Sequence, residues 1–238
     1  MHPGAPPAPV APPGGAGAPR VGVLLPTYNR PDLARACVLQ LAAQSRPPDL
    51  VCVHQNGHPQ PYAWAVADLQ LPFRIVWLHS PQRLPEAAWY AVPLRWLLAQ
   101  GCSHYFWIDH DDLYLREHVQ AGLAELAQHD CSVARRVGLL YTRPGQWHHE
   151  PVTEFGSHAP GGMSGSLCFT RPFAQQLLAD LEDPGAVALH ADEVLARHTM
   201  PRFRCLVSLE RRTCIYHAHP GSSTSAGWLD RVLGPASP

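Results

Sequence analysis

The chain has 238 residues, 46% of them hydrophobic, and a net charge of −1 with histidine neutral. This length suits one large domain with its own core, and the balanced charge excludes a strongly basic nucleic-acid-binding field or an acidic solvating tail. No apolar run reaches the ~18 residues of a membrane span, and the N-terminus lacks the basic and apolar regions of a signal peptide. These features predict a soluble cytoplasmic protein whose seven cysteines are small buried side chains in a reducing compartment.

The composition changes at both ends of the chain. Residues 1–19 are nearly all Pro, Gly and Ala, and such a segment cannot bury enough side chain to offset its ordering entropy. We therefore predict a disordered tail at 1–19 and a single folded domain at 20–217. Residues 218–238 are rich in Gly, Ser and Pro and are predicted to form a flexible tail that closes over a ligand as a lid.

Between the tails, short apolar runs alternate with segments of helical spacing. Strands are predicted at 21–25, 50–53, 73–78, 104–108, 136–141, 164–170 and 203–209. Helices are predicted at 32–44, 61–69, 85–101, 115–128, 171–181 and 191–198, with Asp32 as the first N-cap and a kink or break at Pro93. Residues 142–162 are predicted to be loop. The alternation predicts an α/β three-layer sandwich with a mainly parallel sheet, and such sheets bind ligands at the carboxyl ends of their strands.

Three acids follow the predicted fourth strand, in the stretch WIDHDD at 107–112. Asp109, Asp111 and Asp112 are close enough for each carboxylate to raise the pKa of the others, unless a cation compensates their charge. Hard oxygen ligands favour Mg²⁺ or Mn²⁺, ions that also hold substrate phosphates. The alternative is that these acids merely favour the N-terminus of the following helix.

The opening VGVLLPTYNRPDLARACVLQLAAQS, together with the DHDD motif, resembles the family-two glycosyltransferases of the GT-A fold. The resemblance covers about residues 21–215 and is strongest up to 115. It implies a GT-A (Rossmann-like) fold and a metal-dependent, inverting, hexosyltransferase-type reaction. In that reaction a sugar moves from a nucleotide-sugar donor, with UDP favoured, to an acceptor hydroxyl, with Mn²⁺ or Mg²⁺ as cofactor.

The resemblance also implies roles for individual residues. The donor nucleotide would be met by residues of the first turn and of later strand ends, namely Pro26, Thr27, Tyr28, Arg30, Arg83 and Asp109. Asp109 would reach the ribose, Arg83 the diphosphate, and Asp111 the metal as part of a DxD motif, with Asp112 as a second ligand. Gln55 stands where the family usually carries an Asp that accepts a hydrogen bond from the base, and Gln can still accept through its carbonyl.

Further implied roles lie in the second half. The Gly-rich stretch GGMSGSLCFTRPF at 161–173, with Gly165, would lie beside the donor sugar. In HADEVLARH at 190–198, Asp192 is the first choice for the general base that deprotonates the acceptor hydroxyl, and Glu193 is the second. His217, ahead of His219, would complete the metal shell. WHHE at 147–150 would contact the acceptor.

Several alternatives stay open from sequence alone. The chain could be a non-catalytic, degenerate GT-A domain or a His-rich metal-binding module. A sugar-1-phosphate nucleotidyltransferase is disfavoured, because PTYNRPD lacks the Gly-rich basic turn of that class. The acceptor could be a glycan, a lipid-linked molecule, a small molecule or a modified nucleobase, and the role of His110 is undecided.

Overall fold

A computed structural model describes residues 18–135, 137–143, 146–153 and 164–219. Most of the predicted tails, 1–19 and 218–238, therefore lies outside the described residues. The strands that it describes are β1 Val21–Thr27, β2 Leu50–Asn56, β3 Arg74–Ser80, β4 His104–Trp107, β5 Leu113–Tyr114, β6 Cys131–Ala134, β7 Val137–Arg143, β8 Gln146–Thr153, β9 Cys168–Thr170, β10 Cys205–Ser208 and β11 Cys214–Ala218. The α-helices are α1 Pro31–Ala42, α2 Glu86–Ala99, α3 His118–Leu126, α4 Arg171–Leu181 and α5 Ala191–Val194.

The central sheet has seven strands in the order β10-β6-β9-β4-β1-β2-β3. Strand β9 runs antiparallel to β4 and β6, and the other neighbouring strands run parallel. The predicted α/β class with a mainly parallel sheet is confirmed. Because β1 to β4 are parallel neighbours, the loops that follow them meet at one edge of the sheet, which is where ligands bind in such folds.

Helices cover both faces of this sheet. Along β1, Val21, Val23 and Leu25 pack on the side of α1 and α3, whereas Leu24 packs on the side of α2 and α4. This alternation follows from the two-residue period of a strand. At Gly22 a Cβ atom would lie 2.9 Å from Cys102 Sγ, so glycine allows the turn after α2 to approach β1 closely.

A second, smaller sheet was not predicted. It has the order β5-β11-β7-β8 and contains residues 142–143 and 146–153, so the prediction of loop at those positions is wrong. Residues 137–141 of the predicted strand at 136–141 belong to this sheet and not to the central one. β5 has only two residues and pairs with β11, which gives it too short a pattern to detect in the sequence.

Pro93 lies inside α2, yet the helix is continuous from Glu86 to Ala99, so a break at this proline is wrong, whereas a kink stays a prediction. Proline removes the N–H that would bond the carbonyl four residues earlier, which here is Trp89. His54 of β2 replaces that donor, since its Nδ1 lies 2.8 Å from the Trp89 carbonyl oxygen. Trp89 Nε1 donates back to the His54 carbonyl at 3.1 Å, so the two residues bond reciprocally across the helix–sheet interface.

Three other local predictions need correction. α1 begins at Pro31, so Arg30 holds the cap position and Asp32 lies in the first turn. The segment predicted as a helix at 61–69 contains only a 3₁₀ turn at Ala63–Val66. The helix predicted at 191–198 is α5 followed by a π-helical segment, Leu195–Thr199.

Two cysteines are paired, which corrects the prediction that all seven are reduced, buried side chains. Cys131 and Cys205 are register partners on the parallel neighbours β6 and β10, and they form a disulfide. The other five are free and buried, as predicted: Cys37, Cys52, Cys102, Cys168 and Cys214.

Candidate functional site

The acidic loop 109–112 lies at the carboxyl edge of the central sheet, directly after β4. Tyr114 of β5 fixes the start of this loop, because its hydroxyl accepts from the Asp109 N–H at 2.9 Å and lies 3.0 Å from the Gly165 carbonyl oxygen. A Cβ atom on Gly165 would lie 2.8 Å from both Asp109 Oδ2 and Asp112 Oδ2. Glycine is therefore required here to leave room beside the two carboxylates.

Asp109 and Asp112 share an environment that disfavours negative charge. Burial and the charges of Asp111 and Asp192 raise the pKa of Asp109 to about 8. Burial and the charges of Asp109 and Asp111 raise the pKa of Asp112 well above its ordinary value. Asp112 is 2% exposed, and its Oδ2 has no hydrogen-bond partner within the described part of the chain. Such a buried oxygen would be stabilised by a proton or by a bound cation.

Asp111 lies in the opposite environment. Its Oδ2 is 2.8 Å from Arg30 Nη1 and 3.2 Å from His219 Nε2. Burial would raise the pKa of Asp111, but the His219 hydrogen bond and the charges of His110 and Arg30 outweigh it and lower the pKa to about 2. Asp111 is therefore the carboxylate of this loop that stays ionised.

His110 has a structural position between these acids. It is 8% exposed, its Nδ1 lies 3.2 Å from the Pro26 carbonyl oxygen, and burial lowers its pKa. The neutral ring thus donates to the end of β1 and ties the acidic loop to the first turn. This contact gives His110 a structural role, the question that the sequence left open.

The late histidines reach the acidic loop because β11 runs past β5. The His217 N–H donates to Asp112 Oδ1 at 3.0 Å, and its Nδ1 lies 3.1 Å from the Asp111 carbonyl oxygen. His217 therefore faces the loop backbone, whereas His219 faces the Asp111 carboxylate. Among the residues that the structure describes, no three His, Cys, Asp or Glu side chains are grouped to hold a metal ion by themselves.

The first turn, PTYNR, places its residues in different surroundings. Thr27 is fully buried, and its hydroxyl lies 2.8 Å from the Tyr62 hydroxyl. Tyr28 is 42% exposed, and the Arg83 guanidinium carbon lies 5.7 Å from its ring centroid, a cation–π contact. Asn29 adopts a left-handed φ of 43°, which Asn tolerates better than most residues. Tyr28 and Arg83 are thus the members of the predicted donor set that present an open surface.

Gln55 is buried at the end of β2. Its Oε1 accepts from the Tyr62 N–H at 3.0 Å and from Trp77 Nε1 at 3.1 Å, and its Nε2 donates to the Gln60 carbonyl at 2.7 Å. The predicted contact between Gln55 and a base stays a prediction, and it would require the carboxamide to give up one of these bonds.

The next residue, Asn56, has a positioning contact instead. Its Oδ1 accepts from the Leu84 N–H at 2.8 Å and its Nδ2 donates to the Leu84 carbonyl at 3.2 Å, which holds the loop that carries Arg83. At Gly57, whose φ is 75°, a Cβ atom would lie 3.0 Å from Arg83 Cβ. The Asn-Gly turn therefore brings the loop after β3 against the loop after β2.

Asp192 opens α5 at the same edge of the sheet. It is exposed to solvent, yet enough protein surrounds its carboxylate for burial to raise its pKa, an effect that a Ser164 hydrogen bond opposes. The charge of Asp192 in turn contributes to the raised pKa of Asp109. Glu193 differs, because it pairs with Arg197 at 3.0 Å.

Two residues of α2 contribute to the site and were missed in the sequence. Tyr90 Oη donates to Asp109 Oδ1 at 3.4 Å, and its ring stacks on Trp107 with centroids 3.9 Å apart. Glu86 bonds the backbone that leads into Asp192. Their four-residue spacing places both on one helix face, but nothing in the sequence indicates that this face meets the site.

Comparison with known proteins places the fold. No known protein family and no curated protein matches the sequence. The structure is similar to S. aureus TarS 1-349 in complex with UDP-GlcNAc, with a TM-score of 0.59 and 13% identity over 87% of this chain and 61% of that chain. The UDP complex of the same protein gives a TM-score of 0.62 and 15% identity, over 84% of this chain and 61% of that one. The fold is that of the GT-A glycosyltransferases.

A third similar structure is the mannosyltransferase PcManGT from Pyrobaculum calidifontis in complex with GDP-Man and Mn²⁺. Its TM-score is 0.59, and the identity is 19% over 83% of this chain and 56% of that chain. The chain thus spans less than two thirds of these neighbours, and identities this low establish the fold alone. None of the helices in the described ranges has the length and apolarity that a membrane crossing requires.

Proposed function

We propose that the protein is a glycosyltransferase that moves a sugar from a nucleotide-sugar donor to an acceptor hydroxyl. The observation that carries this proposal is that one turn of α2 contacts both Asp109, through Tyr90, and the residue before Asp192, through Glu86, at the carboxyl edge of a GT-A sheet. In a GT-A fold, a carboxylate on the donor side can hold the donor, and a solvent-exposed carboxylate can deprotonate an acceptor. This arrangement suits direct displacement at the anomeric carbon. The sequence resemblance supports inversion, a hexosyl group and UDP as the nucleotide.

The proposed base is Asp192. Its carboxylate is exposed to solvent, where an acceptor hydroxyl can reach it, and its raised pKa moves it toward the range in which a base works near neutral pH. Glu193, the second choice, is already paired with Arg197, so its carboxylate is less available to an acceptor hydroxyl. In this proposal Asp192 takes the hydroxyl proton as the acceptor oxygen attacks the anomeric carbon.

The proposed donor contacts follow the carboxyl ends of the first four strands. Tyr28 and Arg83 form an open aromatic–guanidinium surface for the nucleotide, and Asp109 reaches the ribose. The role of three other predicted donor residues is to support this surface, since each is hydrogen-bonded inside the protein. They are Pro26, Thr27 and Gln55. Gly165 leaves the space beside Asp109 in which the donor sugar lies.

A divalent cation, Mn²⁺ or Mg²⁺, fits Asp111 together with His219. Asp111 Oδ2 and His219 Nε2 are 3.2 Å apart, and ligands of one octahedral ion with bonds of about 2.0–2.1 Å are separated by roughly 3 Å. Asp112, whose buried Oδ2 has no partner among the described residues, is the proposed second carboxylate, and it would have to move toward Asp111 because the three side chains are not grouped around one ion as they stand. His219 replaces the predicted His217, whose ring faces a backbone carbonyl. When bound, the ion would stabilise the charge of the departing diphosphate.

Arg30 is the counter-charge of Asp111 while no cation is bound. Its guanidinium occupies the same carboxylate oxygen, so binding of a cation requires Arg30 to release that oxygen. Once released, Arg30 is positioned beside the proposed metal ligand, where it can pair with a donor phosphate oxygen.

Calorimetric titration tests the donor and the cation together. UDP, GDP and their common sugar conjugates are titrated with and without MnCl₂ into the wild-type chain, Asp111→Asn and Asp68→Asn. Asp68 is an exposed carboxylate paired with Arg35 away from the site, and serves as the matched control. We expect at least one nucleotide to bind more tightly with Mn²⁺ in wild type and control, and Asp111→Asn to lose that gain. Failure of every nucleotide to bind under both conditions would refute the proposal.

A further inference from the structure

The N-terminal end of α2 contacts both halves of the proposed site. Glu86 is the first residue of this helix, and Tyr90 lies four residues later on the same face. Glu86 contacts the segment that carries Asp192, and Tyr90 contacts Asp109. One rigid helical turn therefore bridges the proposed donor-side acid and the proposed base.

Glu86 uses both carboxylate oxygens on the segment before Asp192. Its Oε1 accepts from the Ala191 N–H at 3.1 Å, and its Oε2 lies 2.8 Å from His190 Nδ1. The first N–H groups of a helix have no partner within the helix, and the cap residue His190 makes no capping bond with its own side chain. Glu86 thus caps α5 from another helix and fixes the backbone at the residue before the base.

Tyr90 is held at both ends of its side chain. The ring stacks on Trp107, the last residue of β4, and the hydroxyl donates to Asp109 Oδ1 at 3.4 Å. Trp107 is itself fully buried, so the stack is anchored to the sheet. The hydroxyl is positioned to hold the Asp109 carboxylate in one orientation.

We infer that the first turn of α2 is a positioning element, in which Glu86 holds Asp192 and Tyr90 holds Asp109 at a fixed separation. This inference rests on the proposed glycosyl transfer, since it assigns how the donor-side acid and the base keep their places in that reaction. Glu86 and Tyr90 are positioning residues and not catalytic ones, because each acts by holding a carboxylate in place.

Because Glu86 is charged, it also affects the pKa of Asp192, and this effect can be measured separately from its structural contact. The described groups that face Asp192 are Glu86 and Tyr90 from α2, Asp109 from the acidic loop, the Ser164 hydroxyl, and its neighbours His190 and Glu193. Glu86 raises the pKa of Asp192 and His190 lowers it, with Glu86 the stronger of the two. Removal of the Glu86 charge must therefore lower the pKa of Asp192, and a base with a lower pKa stays ionised to lower pH.

The test measures hydrolysis of the nucleotide sugar that the wild-type chain turns over fastest with Mn²⁺, since water replaces the unidentified acceptor. Glu86→Gln keeps an oxygen for the Ala191 N–H but loses the charge. We expect it to retain most of kcat and to shift the acidic limb of the kcat/KM profile to lower pH. Glu86→Ala also loses the acceptor, and we expect kcat to fall about tenfold with KM nearly unchanged.

Tyr90→Phe tests the second arm, because it removes the hydroxyl and keeps the ring on Trp107. We expect KM for the donor to rise about threefold, with kcat nearly unchanged. Glu182→Gln is the matched control for Glu86. Glu182 pairs with Arg95, which lies in α2 far from Glu86. The Glu182→Gln change should therefore leave both kcat and the pH profile unchanged.

The outcomes separate this inference from the proposed function. An acidic limb for Glu86→Gln identical to that of the wild type would overturn the role of Glu86, even if Glu86→Ala fails to fold. A Tyr90→Phe donor KM equal to the wild-type value would overturn the role of Tyr90. If instead the wild-type chain turns over no nucleotide sugar, it is the proposed function that fails, and the inference fails with it.

Discussion

The three acids of WIDHDD are neighbours in sequence but have distinct surroundings. Asp111 lies against Arg30 and His219 and stays ionised, whereas the half-buried Asp109 and the buried Asp112 have raised pKa values. The sequence predicts these residues as a candidate site, because acids at the end of a parallel strand lie at the ligand edge of the sheet, and the structure has them directly after β4. Their individual roles depend on partners that local sequence does not reveal.

Those partners lie far away along the chain. Asp109 meets Tyr90, which is 19 residues earlier, and Asp111 meets His219, which is 108 residues later. The sequence offered both late histidines and preferred His217. In the structure the His217 ring lies against the Asp111 carbonyl and the His219 ring against the Asp111 carboxylate, and this difference is why we propose His219 as the metal ligand.

Gly165 provides the residue-scale prediction. In Gly165→Ala the new methyl group would lie 2.8 Å from carboxylate oxygens of Asp109 and Asp112, so one or both must move. We expect a loss of at least about tenfold in nucleotide affinity by calorimetry, while the melting temperature changes little. Gly185→Ala, at an exposed position outside the site, is the control. Wild-type affinity in Gly165→Ala would contradict the placement of the donor beside this glycine.

At the scale of elements, the sequence predicts β1 to β4, α1 and α2 of the first half, because their apolar runs alternate regularly, but it misses β5 and predicts a helix at 61–69 where only a 3₁₀ turn forms. Pro93 is an instructive exception. The rule that proline breaks a helix concerns the unpartnered carbonyl four residues earlier, and here His54 of β2 bonds that carbonyl. The rule fails because a tertiary contact supplies the missing donor, which no local pattern can show.

This compensation predicts an energetic coupling between His54 and Pro93. His54→Leu leaves the buried Trp89 carbonyl without a donor, and we expect a loss of about 1–3 kcal/mol in the free energy of unfolding. In the Pro93→Ala background the backbone N–H restored at position 93 can bond that carbonyl, so the same change should cost less. A double-mutant cycle by urea denaturation measures the difference. Strictly additive effects would contradict the compensation.

At the scale of the whole molecule, the second sheet is the largest difference between the predicted fold and the structure. Strands β7 and β8 form a hairpin at positions where the sequence predicts a strand followed by loop. β5 has only two residues, and β11 lies where the sequence predicts no strand. This sheet delivers His217 and His219 to the acidic loop. The site is therefore completed by long-range pairing between residues about 100 positions apart, a feature that periodicity within a window cannot predict.

The Cys131–Cys205 disulfide has a consequence for global stability. It joins β6 to β10 at the edge of the central sheet and closes a loop with a sequence separation of 74. We expect Cys131→Ser/Cys205→Ser to lose about 2–4 kcal/mol in the free energy of unfolding, measured by urea denaturation. The comparison is Cys52→Ser, at a free buried cysteine, which keeps the disulfide. Reducing agent should therefore destabilise Cys52→Ser but not the double variant. A wild-type chain insensitive to reducing agent would contradict a stabilising cross-link.

Turnover of a nucleotide sugar tests the central claim most directly. Release of nucleotide from a panel of UDP and GDP sugars is measured with Mn²⁺ for the wild-type chain and for Asp192→Asn, which removes the proposed base and preserves its shape. We predict that the wild-type chain hydrolyses at least one sugar nucleotide. Asp192→Asn should bind it equally well and turn it over at least about 100-fold more slowly. Nucleotide binding with no turnover by the wild-type chain, or equal turnover by both proteins, would contradict the account.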